Sequence, residues 1–244
     1  MCIRDSIIDV GGESTRPGAE EVAQQEELDR VIPVISKVVT ELGARVSVDT
    51  SKPEVMREAV AAGAVMINDV RALSEPGAFD IAVDAARRHG TAICLMHMQG
   101  NPQTMQENPH YTNVVDEVSD FLKARCQSVT EAGVRKNQLI VDPGFGFGKT
   151  TQHNLQLLHN LDRLCESGFA VLAGLSRKRM FAEILASTSS GEQVSHEGTR
   201  LHASVAAAQI AVDRGAKIVR VHDVAPTVHA LKVLQETENA GALC

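Results

Sequence analysis

The chain has 244 residues, 43% of them apolar, with a formal net charge of −7 and a pI near 5.7. That balance excludes a general nucleic-acid binder, which carries a basic stripe. One Tyr and no Trp leave little to stack on single strands. No apolar run is long enough to span a bilayer, and the opening MCIRDS lacks the apolar core of a secretory signal. Five scattered cysteines, without CxxC or zinc-site spacing, read as the reduced thiols of a cytoplasmic protein.

Seven apolar, β-branched runs are predicted as strands, each ending in a polar or glycine-rich turn. In chain order they are IIDVGG (7–12), ARVSVDT (44–50), VMINDV (65–70), TAICLMH (91–97), QLIVDPG (138–144), FAVLAGLS (169–176) and AKIVRVHD (216–223). Between them lie segments of helical period, such as residues 21–42 and 202–215. Near-continuous apolar strands alternating with amphipathic helices predict a parallel sheet covered by helices. Ser51-Lys52-Pro53-Glu54 reads as a Ser cap with an early Pro and a capping-box Glu. Gly43, Gly63, Gly90, Gly133 and Gly215 fall where C-terminal caps belong. No linker or low-complexity tract divides residues 7–238, which predicts a single domain.

A doubly wound sheet would gather its site at one switch point. Here almost every predicted strand ends in a reactive or hydrogen-bonding group: Asp9, Asp49, Asn68, His97, Asp142, Ser176, then Arg220 and His222. Polar groups at many strand ends favour a (β/α)8 barrel. Only seven strands are counted, so one is hidden or one β/α unit is missing.

Residues 141–150, VDPGFGFGKT, invite comparison with a phosphate-binding P-loop. That motif needs a glycine five residues before its Gly-Lys-Thr, and the position holds Pro143, with no N–H and a fixed φ. The dinucleotide pattern fails as well, because Lys149 occupies the place of its last glycine. What remains is a glycine-rich loop able to lie close to a ligand.

Taken together, IIDVGGESTRPGA, SVDTSKPEV, INDVRALSEPGA, CLMHMQGNPQTMQ, DPGFGFGK, LSRK and RVHDV resemble the bacterial dihydropteroate synthase family. They fall in family order and cover the chain from Ile7 to about Gln235. The resemblance implies a TIM-type (β/α)8 barrel, a homodimer, and condensation of 6-hydroxymethyl-7,8-dihydropterin diphosphate with p-aminobenzoate. By resemblance Asp49, Asn68 and Asp142 hold the pterin edge, whose N–H donors and carbonyl call for carboxylates and an amide. Lys178 contacts the pterin, and Asp49, Asp142 and Lys178 form the catalytic set. Arg220 and His222, two apart on a predicted strand and so on one face, bind the diphosphate. Thr15, Arg16 and Pro17 belong to a loop ordering the p-aminobenzoate site. Phe147 packs on p-aminobenzoate near Ser176, with Met96 and Gly174 also lining the site. Arg179 stands where many relatives carry Ser, which bears on sulfonamide handling.

The family opens with a strand ending in a motif like NVTPDSFSDGG, and its Asn ligates Mg²⁺. No counterpart occurs in this sequence, so no residue here is assigned as a metal ligand. The expectation is a barrel missing its first β/α unit, with MCIRDS a foreign start, low stability and little turnover. Two alternatives stand beside the synthase: a non-catalytic pterin-binding module, and a methyltetrahydrofolate-dependent methyltransferase domain. The latter shares the pterin-holding Asp and Asn but needs neither STRPG nor the Arg220/His222 pair.

Overall fold

The structure, a computed structural model, describes residues 7–16, 18–186 and 197–241, with only the backbone of 197–199. In chain order the elements are β1 (Ile7–Gly11), α1 (Gln24–Leu42), β2 (Arg45–Asp49), α2 (Pro53–Ala61), β3 (Met66–Asp69), α3 (Ala78–His89), β4 (Ala92–Met96) and α4 (Val114–Glu131). They continue with β5 (Leu139–Asp142), α5 (Thr151–His159), α6 (Leu161–Cys165), β6 (Ala170–Ala173), α7 (Arg179–Ala186), α8 (Glu197–Asp213), β7 (Ile218–Val219) and α9 (Val224–Gly241). Each of the seven predicted strands forms, shorter than its apolar run. The sheet order is β1 to β7 without reversal, and each neighbouring pair is parallel. A doubly wound sheet would reverse, so this is barrel winding, with seven strands among the described residues.

Because side chains alternate along a strand, β3 to β6 each feed two cores. The outward set, including Val46, Val48, Ile67, Ile93, Leu95, Leu139, Val141 and Val171, packs beneath the helices in the main core. Burying each of these side chains contributes roughly 1.5–3 kcal/mol. The inward set, Met66, Cys94, Ile140 and Leu172 with Ile218 against it, forms a small apolar plug. Two residues further along come Asn68, Met96 and Asp142, with Gly174 and Arg220 just past the ends of β6 and β7. One pleat repeat therefore separates the plug from a mostly polar layer. A one-residue slip would exchange the two cores, which pins the register.

Two local expectations change. Ser51 does not cap α2: the cap residue is Lys52, with no side-chain cap bond. Instead the Ser51 hydroxyl donates to Asp69 at the end of β3. Asp69 also accepts from the N–H groups of Arg71 and Leu73, at 2.8 and 2.7 Å, and a buried carboxylate is the stronger attractor for a hydroxyl. Arg220 and His222 lie just beyond β7 rather than within it, although the Arg220 N–H still reaches the Ala173 carbonyl at 3.1 Å. Gly43 and Gly90 cap their helices in the left-handed region as expected, while Gly63 and Gly133 fall one residue past the cap. Among the described residues no helix is long and apolar enough to cross a membrane.

Candidate active site

The glycine-rich loop after β5 is shaped by how closely it approaches the loop after β4. Gly144 has φ +67° and Gly148 φ +62°, values that disfavour any side chain. A methyl at Gly144 would overlap the His97 carbonyl, and one at Gly148 would sit 2.5 Å from the Gln99 carbonyl. Lys149, 3% exposed, does not face outward as a phosphate-binding lysine would. Its Nζ lies 2.9 Å from the Phe147 carbonyl, 3.3 Å from the His97 carbonyl and 3.0 Å from His97 Nδ1. Burial pulls this ammonium down to about 7, and burial with the Lys149 charge pulls His97 to about 3. A neutral His97 therefore offers Nδ1 as an acceptor. Thr150 completes the motif as the N-cap of α5, accepting from the His153 N–H. The Gly-Lys-Thr ending is a clasp and a helix start.

The loop so fixed faces a cavity of about 1620 Å³ that runs from the strand ends down the inner face of the sheet, past Ser47, Met66, Leu172 and Ile218. Asp49 and Asn68 are register partners on β2 and β3, and both line it. Asp142 is buried one wall behind: Oδ1 accepts the Gly144 N–H at 2.7 Å. Its Oδ2 lies 3.8 Å from where a Gly174 Cβ would stand, so the missing side chain of Gly174 is its opening to the cavity. Burial raises the Asp142 carboxyl, and Gly144, Lys178 and Lys149 pull it back. Burial, followed by the Asp9 charge, pushes Asp49 up to about 7. Lys178 enters from the β6 side with Nζ 4.4 Å from the Phe147 ring centroid, and burial lowers it to about 8. Two carboxyls, an amide, an ammonium and an aromatic face thus converge.

Lys178 and Ser176 are aimed by the residue between them. Arg177 has φ +57°, a strain of order 1–3 kcal/mol. Its N–H donates to Ser204 Oγ at 2.9 Å, and its guanidinium forks onto Asp223 at 3.0 and 2.8 Å. Ser176 Oγ accepts the His222 N–H at 3.2 Å and lies 3.0 Å from His222 Nδ1. Burial, with Arg177 and Arg220 nearby, lowers the imidazole below its usual range. His222 therefore offers a neutral N–H at pH 7. Thr15 and Arg16 line the same cavity. Their loop is pinned at Glu13, which accepts from Lys52, itself 2.6 Å from the buried Glu27.

Three predicted residues stand apart. Met96 is buried and does not line the cavity, while Pro17 lies outside the described residues. Arg179 lies at the cavity margin, its Nε 2.8 Å from Glu183 on the exposed face of α7. Two residues were missed as partners of the site: Lys149, hidden in a P-loop look-alike, and Asp9, seen as a strand-end acid without a role. Asp9 lies 2.5 Å from Arg220 Nε and 3.4 Å from Asn68 Nδ2. Among the described residues no three His, Cys, Asp or Glu side chains cluster to hold a metal. The nearest carboxylates, Asp9 and Asp49, are both turned onto Arg220, so these residues alone do not fit an Mg²⁺ site.

Comparison with known proteins places this arrangement. The family model described as pterin binding enzyme matches residues 5–222. A dihydropteroate synthase of Haemophilus influenzae is 52% identical over 235 residues, covering 96% of this chain and 81% of the relative. A Yersinia pestis dihydropteroate synthase, solved with a sulfonamide drug complex, superposes with a TM-score of 0.88 at 44% identity. That match covers 96% of this chain and 80% of the other. A Xanthomonas albilineans dihydropteroate synthase, solved with 4-aminobenzoic acid, gives a TM-score of 0.86 at 51% identity, covering 95% and 79%.

Proposed function

This chain belongs to the dihydropteroate synthase family of pterin-binding enzymes, and on that premise we propose how its residues divide the transfer. The reaction joins 6-hydroxymethyl-7,8-dihydropterin diphosphate to p-aminobenzoate, giving 7,8-dihydropteroate and pyrophosphate. The observation that carries the assignment is the convergence of Asp49, Asn68 and Asp142 at the ends of β2, β3 and β5, with Lys178 beside the Phe147 ring.

Asp49, Asn68 and Asp142 accept from and donate to the pyrimidinone edge of the pterin. Lys178 closes over the ring from the β6 side, its aliphatic stem and Phe147 shielding the methylene from water. Displacement there leaves positive charge on the pterin as the C–O bond breaks. The fixed carboxylates Asp49 and Asp142 stabilise that charge at no cost of reorganisation. Arg220 takes the departing anion bidentately, and His222 adds a neutral N–H. The amine of p-aminobenzoate attacks beside Phe147 and Ser176, forming C–N and losing one proton. Members of the family typically use Mg²⁺, which would offset diphosphate charge; no step above is routed through it. A homodimer and a cytoplasmic setting are part of this proposal, as is one barrel domain over residues 7–238.

Calorimetry with the pterin diphosphate, run beside a pyrophosphate-release assay, tests the reading. Release that requires p-aminobenzoate supports the synthase. Binding without release supports a pterin-binding module instead, and absence of both contradicts either.

A further inference from the structure

Arg220 reaches from the end of the last strand to the acids of the first two. Beyond β7, its Nε meets Asp9 Oδ2 of β1 at 2.5 Å and its Nη2 meets Asp49 Oδ2 of β2 at 3.0 Å. Asp49 is also a pterin acceptor in the assignment above, so in this state one of its oxygens is occupied. Asp9 is different. It stands one pleat repeat below Gly11, which is the register partner of Asp49, and its Oδ1 is buried without a partner. Nothing in the proposed reaction uses it.

We propose that Asp9 is a positioning residue for Arg220: it holds Nε as a fixed pivot while Nη2 exchanges between Asp49 and the diphosphate. The arrival of the ring at Asp49 then frees the arm that takes the anion. An anion on that arm in turn leaves Asp49 open to the ring. Ring and diphosphate bind as a coupled pair, and the coupling passes through the Asp9–Arg220 contact. Asp9 suits the pivot because its Oδ2 meets Nε, while Nη2 turns to a different partner.

The same geometry makes Asp9 the like-charge neighbour of Asp49. The charged groups facing Asp49 are Asp9 from β1, Arg220 beyond β7, Asp69 from β3 and Glu27 from α1. Lys178 from the β6 side and the buried Cys94 of β4 also sense it. Of the acids, Asp9 exerts the largest effect, so neutralising it lets Asp49 ionise at lower pH.

The inference rests on Asp49 holding the pterin, and the experiment separates the two claims. Calorimetry compares 6-hydroxymethylpterin with its diphosphate, on the wild type and on Asp9→Asn, between pH 5.5 and 8. The affinity gained from the diphosphate is expected to fall about tenfold or more in Asp9→Asn, the scale of a charge-assisted contact. Affinity for the alcohol at pH 7.5 should stay within about twofold, and its acidic limb should move to lower pH. Equal losses for both ligands with an unmoved limb mean a merely structural Asp9 and overturn the proposal, as does an unchanged diphosphate gain. A wild type that binds neither ligand overturns the pterin assignment as well. Should Asp9→Asn not fold, Arg220→Lys serves: one ammonium cannot hold a pivot and an anion in the same fork. It should lose the diphosphate gain while retaining the alcohol, and retention of the gain contradicts the pivot.

Discussion

The floor of the cavity and its rim differ in how they hold their functional groups. Asp49, Asn68 and Asp142 stand on β2, β3 and β5 and are largely closed to solvent. Arg16, Arg220 and His222 stand on loops beyond strand ends and are exposed. A strand-borne group is set by the register of the sheet and needs no movement to meet a planar ring. A loop-borne group keeps its freedom until an anion arrives, and Arg220 meanwhile rests on the acids of the floor. On the proposed assignment, the sheet sets the groups that meet the ring, while the groups that meet the anion must be assembled.

The contrast can be broken most forcefully at the clasp beneath the floor. Gly144→Ala places a methyl on the His97 carbonyl at a left-handed φ. It should cost about 3 kcal/mol or more of stability, read by thermal or denaturant unfolding. A near-wild-type melting curve would show the clasp to be loose.

Titration sharpens the comparison next. The Asp49 carboxyl, raised to about 7, accepts the ring N–H when ionised, so that contact is present above about 7 and lost as pH falls through it. The Lys178 ammonium, lowered to about 8, is present below that value and lost as pH rises through it. Affinity for 6-hydroxymethylpterin should peak between the two and fall about tenfold per pH unit on the acidic side. Flat affinity from pH 5.5 to 8 would remove Asp49 from the floor.

On the rim, Arg16→Ala should weaken the diphosphate ligand about tenfold and leave the alcohol unchanged, since exposed cations act on the anion alone. The smallest effect belongs to Arg179→Ser. Its ion pair with Glu183 is solvent-exposed, the Arg179 side chain 85% accessible, and such pairs contribute about 0.5 kcal/mol or less. The melting temperature should move by no more than about 2 °C, whatever the change does to sulfonamide binding.

The floor was legible in the sequence because a period of two is local: each acid or amide ends its own apolar run. Those runs also betrayed the parallel winding, and polar ends on all of them favoured a barrel over an open sheet. The rim was legible only in part. The pairing of Arg220 with Asp9 joins residues 211 apart in the chain, and no local pattern encodes it. Lys149 had no role in the sequence once Pro143 excluded a P-loop. Only the three acceptors around its Nζ reveal a structural role. Ser51 was a sound cap by local rules, yet Asp69, reached across the sheet, competes for its hydroxyl.

Asp142→Asn offers the most direct test of the preformed floor. Asparagine keeps an oxygen for the Gly144 N–H and removes the charge behind Gly174. Calorimetric titration of 6-hydroxymethylpterin diphosphate at pH 7.5 should show binding to the wild type and a loss of about 2–4 kcal/mol in the variant. Equal affinity in the two proteins would contradict the account.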